Sequence, residues 1–341
     1  MTHPCMLFLY ATYDCSRRFM KRLVLHALRS SGVFALTRAL SAKMARILMY
    51  HNFSGPGATD ADALNVEGIR RQFTYLRRHF RVVPLLQIAE QLASGRELTP
   101  RMAALTIDDG RRNCYEFLFP LLQEFEFPAT FFVVNSFIQG EDWIWTDKVI
   151  WLSEQPNPPA ELIPGKLEAV FEALNRLRPE ARNAQIETLA KRAGVTIPRP
   201  APAKYASCSW SELREMADSG LVEIGSHTVT HPILSTLTDE ESWYELSESR
   251  RQIEEALSKT VRCFCFPNGK SGDYRPRQVH QIADAGYLCS VVAESGLVGS
   301  GADRYQLPRI GGRSEILFRQ RVDGAEYYQH TLRSCLGASE G

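Results

Sequence analysis

Short, mostly apolar runs recur along this chain, and stretches with helical spacing separate them. Arg46 to His51, Met102 to Ile107, Ala129 to Val134, Val261 to Phe266 and Tyr287 to Val292 show little of the alternation that one wet face imposes. They read as strands buried on both faces. Val222 to Gly225 is a further short strand that runs into a polar loop, Val82-Val83-Pro84 is a minor one, and Leu307 to Ile310 is a late one. Gly68 to Phe80, Leu86 to Ala93, Tyr115 to Phe125 and Gln278 to Ala285 carry the apolar spacing of helices. Ser209 with Glu212, and Thr238 with Glu241, have the spacing of capping boxes. The first opens a helix to Asp218, with Gly220 beyond its end, and the second opens a long helix to about Ser258. The charges of that long helix read as a solvated face. This strand–helix alternation predicts an α/β fold with a parallel sheet or barrel.

Two regions break the rhythm. Residues 141–205 begin with Trp143, Trp145 and Trp151, pass through Pro156, Pro158 and Pro159, and end on Pro198, Pro200 and Pro202. Two helical stretches lie inside, Lys166 to Leu177 and Ala181 to Arg192. This is the pattern of an insertion over a barrel mouth. Its tryptophans either stack on sugar rings or anchor the insertion. Residues 17–42 alternate apolar positions (Phe19, Leu23, Leu28, Leu36, Leu40) with basic ones (Arg18, Arg22, Arg29, Arg38). Such a helix suits either a membrane surface or, the preferred reading, the barrel exterior. The expected division is an N-terminal extension and helix over 1–45, then one domain over 46–341.

Composition narrows the function. The chain has 341 residues with 40 Lys+Arg against 39 Asp+Glu, so a net charge of +1 gives no case for nucleic-acid binding. No apolar run reaches the ~18 residues of a membrane span. The 8 cysteines lack zinc-knuckle spacing, and Cys263 and Cys265 alternate with phenylalanines as core residues do. Reduced thiols and a cytoplasmic location are the simpler expectation. Cys5 to Ala11 is too short for a secretory signal, and Met20 reads as a natural start after an upstream extension.

The candidate chemistry sits at two strand ends. Leu105-Thr106-Ile107 runs into Asp108-Asp109-Gly110. Adjacent carboxylates that lose water at a strand exit need a compensating charge, and a divalent cation supplies it most directly. The competing reading is an ordinary Asp-Gly surface turn. His227 and His231 follow the strand at Val222, and two histidines four apart can converge on one metal. Asp109, His227 and His231 make the ligand set of a catalytic zinc site with one position open. Asp108 is then the free carboxylate, placed to take a proton from water.

Thr106-Ile107-Asp108-Asp109-Gly110 resembles the T-[FY]-D-D-G motif of the polysaccharide deacetylases, the NodB-homology carbohydrate esterases. His227-Thr228-Val229-Thr230-His231 is similar to their H-[ST]-x-x-H motif, and the flanks Pro128 to Val133 and Glu223 to Ser226 agree. The resemblance spans about residues 46–312. It implies a distorted (β/α)7-type barrel and metal-dependent removal of acetyl groups from an N-acetylated sugar or polysaccharide. It also implies a general-acid histidine on an L-x-x-H strand. Leu48-Met49-Tyr50-His51 has that pattern at the front of the chain, as in permuted members; His330 is the runner-up. Pro267-Asn268-Gly269 stands where the family has R-x-P-[YF]-G, with Cys265 in place of the arginine and Asn268 in place of the aromatic residue. The Asn268 turn can still aim a backbone N–H at an oxyanion. Arg309 is the candidate substitute for the arginine, against the alternative of a surface residue. The family's tryptophan-bearing motif is not visible in the tail. Two rival functions stay open: another C–N or ester hydrolase acting on a small amide, and a carbohydrate-binding protein that keeps the metal without catalysis.

Overall fold

The computed structural model of the chain describes residues 30–58, 63–311 and 315–335. Seven parallel strands form a closed barrel: β1 (Arg46–Tyr50), β2 (Met102–Ile107), β3 (Ala129–Val133), β4 (Val222–Ser226), β5 (Cys263–Cys265), β6 (Cys289–Ser295) and β7 (Leu307–Gly311). Closure comes from β1, which pairs with β2 on one side, Ile47 opposite Ala104, and with β7 on the other, Leu48 opposite Ile310. The short strand Arg81–Val82 adds to the start of β2.

The apolar runs form strands because both of their faces are buried. Ile47, Ala104, Phe132, Cys263, Val291 and Leu307 join one cluster that fills the barrel, closed below by the helix Leu85–Ala93. The alternate residues Leu48, Leu105, Phe131 and Phe264 pack under the outer helices, against residues such as Ile69, Phe73, Leu213, Leu246 and Ile282. Those helices include Val66–His79, Trp210–Asp218, Asp239–Leu257 and Pro276–Asp284. Both capping boxes are formed, with Ser209 and Thr238 accepting from the backbone N–H of Glu212 and Glu241. The helix expected over 115–125 instead starts as a π-turn, Cys114–Leu118, before Phe119–Phe125. Pro120 stands at that junction and has no N–H for an α-helical bond to the preceding turn.

The insertion carries the helices Trp145–Ser153, Leu167–Asn175 and Pro179–Arg192 around a small core of its own, with Val149, Leu152, Leu174 and Ile186. Trp143 and Trp145 are only 4% and 5% exposed. Trp143 meets Trp151 and Tyr205 with ring centroids 6.0 and 5.5 Å apart. These side chains anchor the insertion.

Of the predicted N-terminal helix, Val33–Leu40 is described, and residues 17–29 lie outside the described residues. Phe34 packs against Leu317 and Ala325, and Arg38 donates to Asp323 and Tyr75, so this part lies on the barrel exterior. Leu36 and Leu40 face solvent. Among the described residues no helix is long and apolar enough to cross a membrane.

Candidate active site

The site lies where β1, β2, β4, β5 and β7 deliver residues to the carboxyl end of the barrel. Asp108 continues the inward-facing set of β2, after Ala104 and Thr106, and is 1% exposed. Were the strand to continue, Asp109 would face outward, because strand side chains alternate. Its left-handed backbone, φ +78, ends the strand and returns the carboxylate to the barrel mouth. Gly110 follows at φ +86, a backbone that favours glycine, and an added Cβ would meet the Ile138 side chain at 2.8 Å.

Asp108 is gripped by Arg309 of β7. Nη1 donates to Oδ1 at 2.7 Å and Nη2 donates to Oδ2 at 2.8 Å. The remaining N–H groups donate to Val292 O, Thr106 Oγ1 and Cys265 Sγ at 3.0, 3.2 and 3.2 Å. All five donors of this buried guanidinium are thus used. Burial raises the carboxyl pKa of Asp108, but Arg309 and then His51 outweigh it and hold the group below its ordinary value. Burial pushes the Cys265 thiol up, so the residue in the expected arginine position is a neutral thiol beside the ion pair.

His51, at the end of β1, brings Nε2 to 3.4 Å from Asp108 Oδ2 and remains 44% exposed on its side chain. Desolvation lowers its pKa, against the pull of Asp108 and Asp109. His330 is exposed on the helix Ala325–Cys335 and does not line the cavity beside Asp108. The structure therefore brings His51, and not His330, to the carboxylates.

Asp109 meets the two histidines. His227 Nε2 and His231 Nε2 both lie 3.8 Å from Asp109 Oδ1, and one ligand atom from each residue lies within 4.8 Å of the others. His227 Nδ1 is 2.7 Å from Cys265 O. A carbonyl only accepts, so Nδ1 donates to it and Nε2 is the nitrogen turned toward Asp109. Burial and the neighbouring His227 push His231 down to about 3, which keeps the imidazole neutral. Despite its burial, Asp109 is held ionised, mainly by Arg111. An ionised carboxylate and two imidazole nitrogens on one point fit a divalent metal of the zinc type. A second trio, Asp108, His227 and Cys265, is equally close. Both oxygens of Asp108 are already held by Arg309, so that trio offers no free set.

The histidine loop is held from outside the motif. Thr228 and His231 have left-handed backbone, φ +72 and +58, and the His231 N–H donates to Thr228 Oγ1 at 2.9 Å. Glu245 accepts from the N–H of Val229 at 2.7 Å, the N–H of Thr230 at 3.0 Å and the Thr230 hydroxyl at 2.6 Å. Its helix was expected to present only a solvated charged face. Glu245 is instead 7% exposed and braces the loop. The signal was present: Ser242, Glu245 and Ser249 fall on the same stripe as Leu246 and Ile253. Nothing in the sequence marks Arg111 and Asp147, a buried ion pair between the Asp108-Asp109-Gly110 turn and the insertion.

Asn268 has left-handed backbone, φ +58, and its Nδ2 donates to Asp273 Oδ2 at 2.6 Å. Among the described residues its backbone N–H has no acceptor, and the residue lines the same cavity as Asp108 and His231. That cavity is about 520 Å³, with Trp145, Phe171 and Tyr205 of the insertion on its far wall. It adjoins a second cleft of about 640 Å³ past Glu172, Asn175 and Lys270.

The sequence model of the polysaccharide deacetylase family matches residues 95–289. That range holds β2 to β5 with both motifs, and leaves His51 and Arg309 outside. Over 93 residues the chain is 31% identical to the poly-beta-1,6-N-acetyl-D-glucosamine N-deacetylase of Escherichia coli K12. That match spans 27% of this chain and 14% of the length of the relative. Three solved structures share the fold. IcaB from Ammonifex degensii has TM-score 0.57 at 18% identity, covering 83% of this chain and 97% of its own. The deacetylase PplD from Streptococcus pyogenes, in complex with acetate, has 0.54 at 15%, covering 79% and 92%. The BpsB deacetylase domain from Bordetella bronchiseptica has 0.51 at 21%, covering 79% and 96%.

Proposed function

We propose that this chain, which belongs to the polysaccharide deacetylase family, removes an N-acetyl group from a saccharide with zinc held by Asp109, His227 and His231. The observation that carries the reading is one cavity holding both an open donor set and a separate ionised carboxylate, Asp108, kept apart by Arg309. A divalent cation in that set supplies Lewis acidity toward the amide carbonyl and lowers the pKa of water.

The chain's own residues supply the rest. Asp108 accepts a proton from the attacking water, and Arg309 fixes the plane of its carboxylate. The free backbone N–H of Asn268 donates to the oxygen on which negative charge develops. His51 gives a proton to the departing nitrogen, since an amine anion is too poor a leaving group to depart alone. A small-amide hydrolase would suit a closed, narrow mouth. The cleft here continues past Glu172 and Lys270, which favours a saccharide longer than the reacting unit.

Acetate release across a panel of N-acetylated saccharides, with and without chelator, tests the proposal. Release from at least one saccharide, lost on chelation and restored by Zn²⁺, is expected. Release from simple amides alone would move the reading to the rival hydrolase, and no release from any substrate would favour the non-catalytic one.

A further inference from the structure

The structure assigns Arg111 and Asp147 to the metal site as a positioning pair, and so makes the insertion a wall of that site. The assignment rests on reading Asp109, His227 and His231 as metal ligands. Arg111 follows the Asp108-Asp109-Gly110 turn and is 8% exposed. Its Nε donates to Asp109 Oδ2 at 3.1 Å, its Nη2 donates to Asp147 Oδ1 at 2.7 Å, and its Nη1 donates to Asp147 Oδ2. Asp147 stands in the first turn of the insertion helix Trp145–Ser153, where a carboxylate would ordinarily face water. It is 1% exposed, and both oxygens bond Arg111.

Two consequences follow for Asp109. A carboxylate turns readily about its last torsion and can present either oxygen. Arg111 occupies Oδ2, so Oδ1 is the oxygen left facing His227 and His231. A guanidinium beside a metal ligand also repels the cation unless its charge is offset. Asp147 supplies the offset. The three side chains together carry one negative charge, as Asp109 alone would, with the orientation fixed.

The backbone ties the same turn to the other end of the insertion. The N–H of Arg112 donates to Ala206 O and the N–H of Cys208 donates to Gly110 O, both at 2.9 Å. Entry and exit of the insertion therefore converge on the turn that carries Asp109. Displacing the insertion moves Arg111 and frees Oδ2, so insertion docking and metal binding are reciprocally linked.

The test uses the full chain. Zn²⁺ affinity is measured by competition with a chromogenic chelator, the Co²⁺-loaded protein gives a visible spectrum, and metal-free thermal unfolding reports the fold. Asp147→Asn leaves the guanidinium without its offset and draws it onto both oxygens of Asp109. Zn²⁺ affinity should fall ~10–100-fold, as for other outer-shell partners of metal ligands, and the Co²⁺ spectrum should change. The Arg111→Gln/Asp147→Asn double variant removes the excess charge and should regain part of that affinity, with a Co²⁺ spectrum still unlike wild type because Oδ2 is no longer held. Asp147→Glu keeps the charge; it should hold Zn²⁺ within a few-fold of wild type while the Co²⁺ spectrum shifts. Wild-type affinity in Asp147→Asn would overturn the positioning role, and a double variant weaker than the single one would overturn the charge offset assigned to Asp147. Where Asp147→Asn does not fold, an unchanged Co²⁺ spectrum in Asp147→Glu overturns it. Wild-type protein that binds no stoichiometric Zn²⁺ would instead overturn the metal reading.

Discussion

Asp108 faces a guanidinium that takes both of its oxygens, whereas Asp109, the next residue, turns one oxygen to two imidazoles and the other to Arg111. Both side chains are buried, and both are held ionised against that burial. What differs is the partner. Arg309 takes one lone pair on each oxygen of Asp108 and fixes the plane of the carboxylate, which on the proposed reading keeps its other lone pairs for a proton. Asp109 keeps Oδ1 turned to His227 and His231, a set of three donors that could hold a cation. On the proposed reading, a single left-handed residue divides two identical carboxylates between two jobs. The strand geometry delivers Asp108 inward, and the turn at φ +78 delivers Asp109 to the second motif.

Removing the cation's donors should give the largest effect, because it acts on Asp109's half alone. The His227→Ala/His231→Ala double variant should lose stoichiometric zinc and with it all measurable acetate release, as determined by metal analysis and turnover. Full occupancy in that variant would put the ligand set elsewhere. Asp108→Asn should do the reverse. It keeps the metal and the fold yet loses ~10²–10⁴-fold in rate, the usual worth of a general base. A variant that turned over near the wild-type rate would leave the two carboxylates without their division of labour.

The barrel was legible because its strands are buried on both faces, and burial on both faces leaves an apolar run that survives without an alignment. The two capping boxes were legible because their bonds span three residues. The contact between Arg309 and Asp108 could be anticipated only because Cys265 stands where an arginine was expected. Nothing local in Leu307 to Ile310 announces that its arginine points inward. Arg111 and Asp147 could not be found, since they lie 36 residues apart in stretches that read as loop and insertion. Glu245 hid among solvated charges, although its place on the apolar stripe set it apart. The tryptophans of the insertion had two readings because an indole serves a core and a sugar face equally well. Packing against Val134 and Phe137 decides for anchoring at Trp143, whereas Trp145 packs in the core of the insertion and also lines the cavity.

The next effect is on the Asp108 side. His51 stands 3.4 Å from Asp108 and keeps one side open to the cavity. His51→Ala should cost ~10²-fold or more in amide hydrolysis and far less with an activated ester, whose leaving group needs little protonation. Equal loss on both substrates would give His51 a binding or structural part. No loss on the amide would pass the proton-donor role to another group.

The smallest effect belongs to the brace behind Asp109's partners. Glu245 holds the loop from His227 to His231 by accepting two backbone N–H groups and one hydroxyl, and it makes no contact with the donor atoms themselves. In Glu245→Gln the side-chain oxygen can still take both N–H groups, and the Thr230 hydroxyl can rotate to accept from the new amide. The change should therefore stay within ~1 kcal/mol in urea unfolding, the worth of a typical hydrogen bond. Glu245→Ala leaves those donors without a partner, one of them on the buried Val229, at a cost of about 1–3 kcal/mol. The left-handed backbone at Thr228 and His231 then loses its outer support, and zinc affinity should weaken together with stability. The bidentate contact of Arg309 with Asp108 lies on the other half and should be untouched, so metal-saturated Glu245→Ala should turn over at close to the wild-type rate. If saturating zinc does not restore the rate, the two carboxylates are coupled through the histidine loop and the division between them is incomplete.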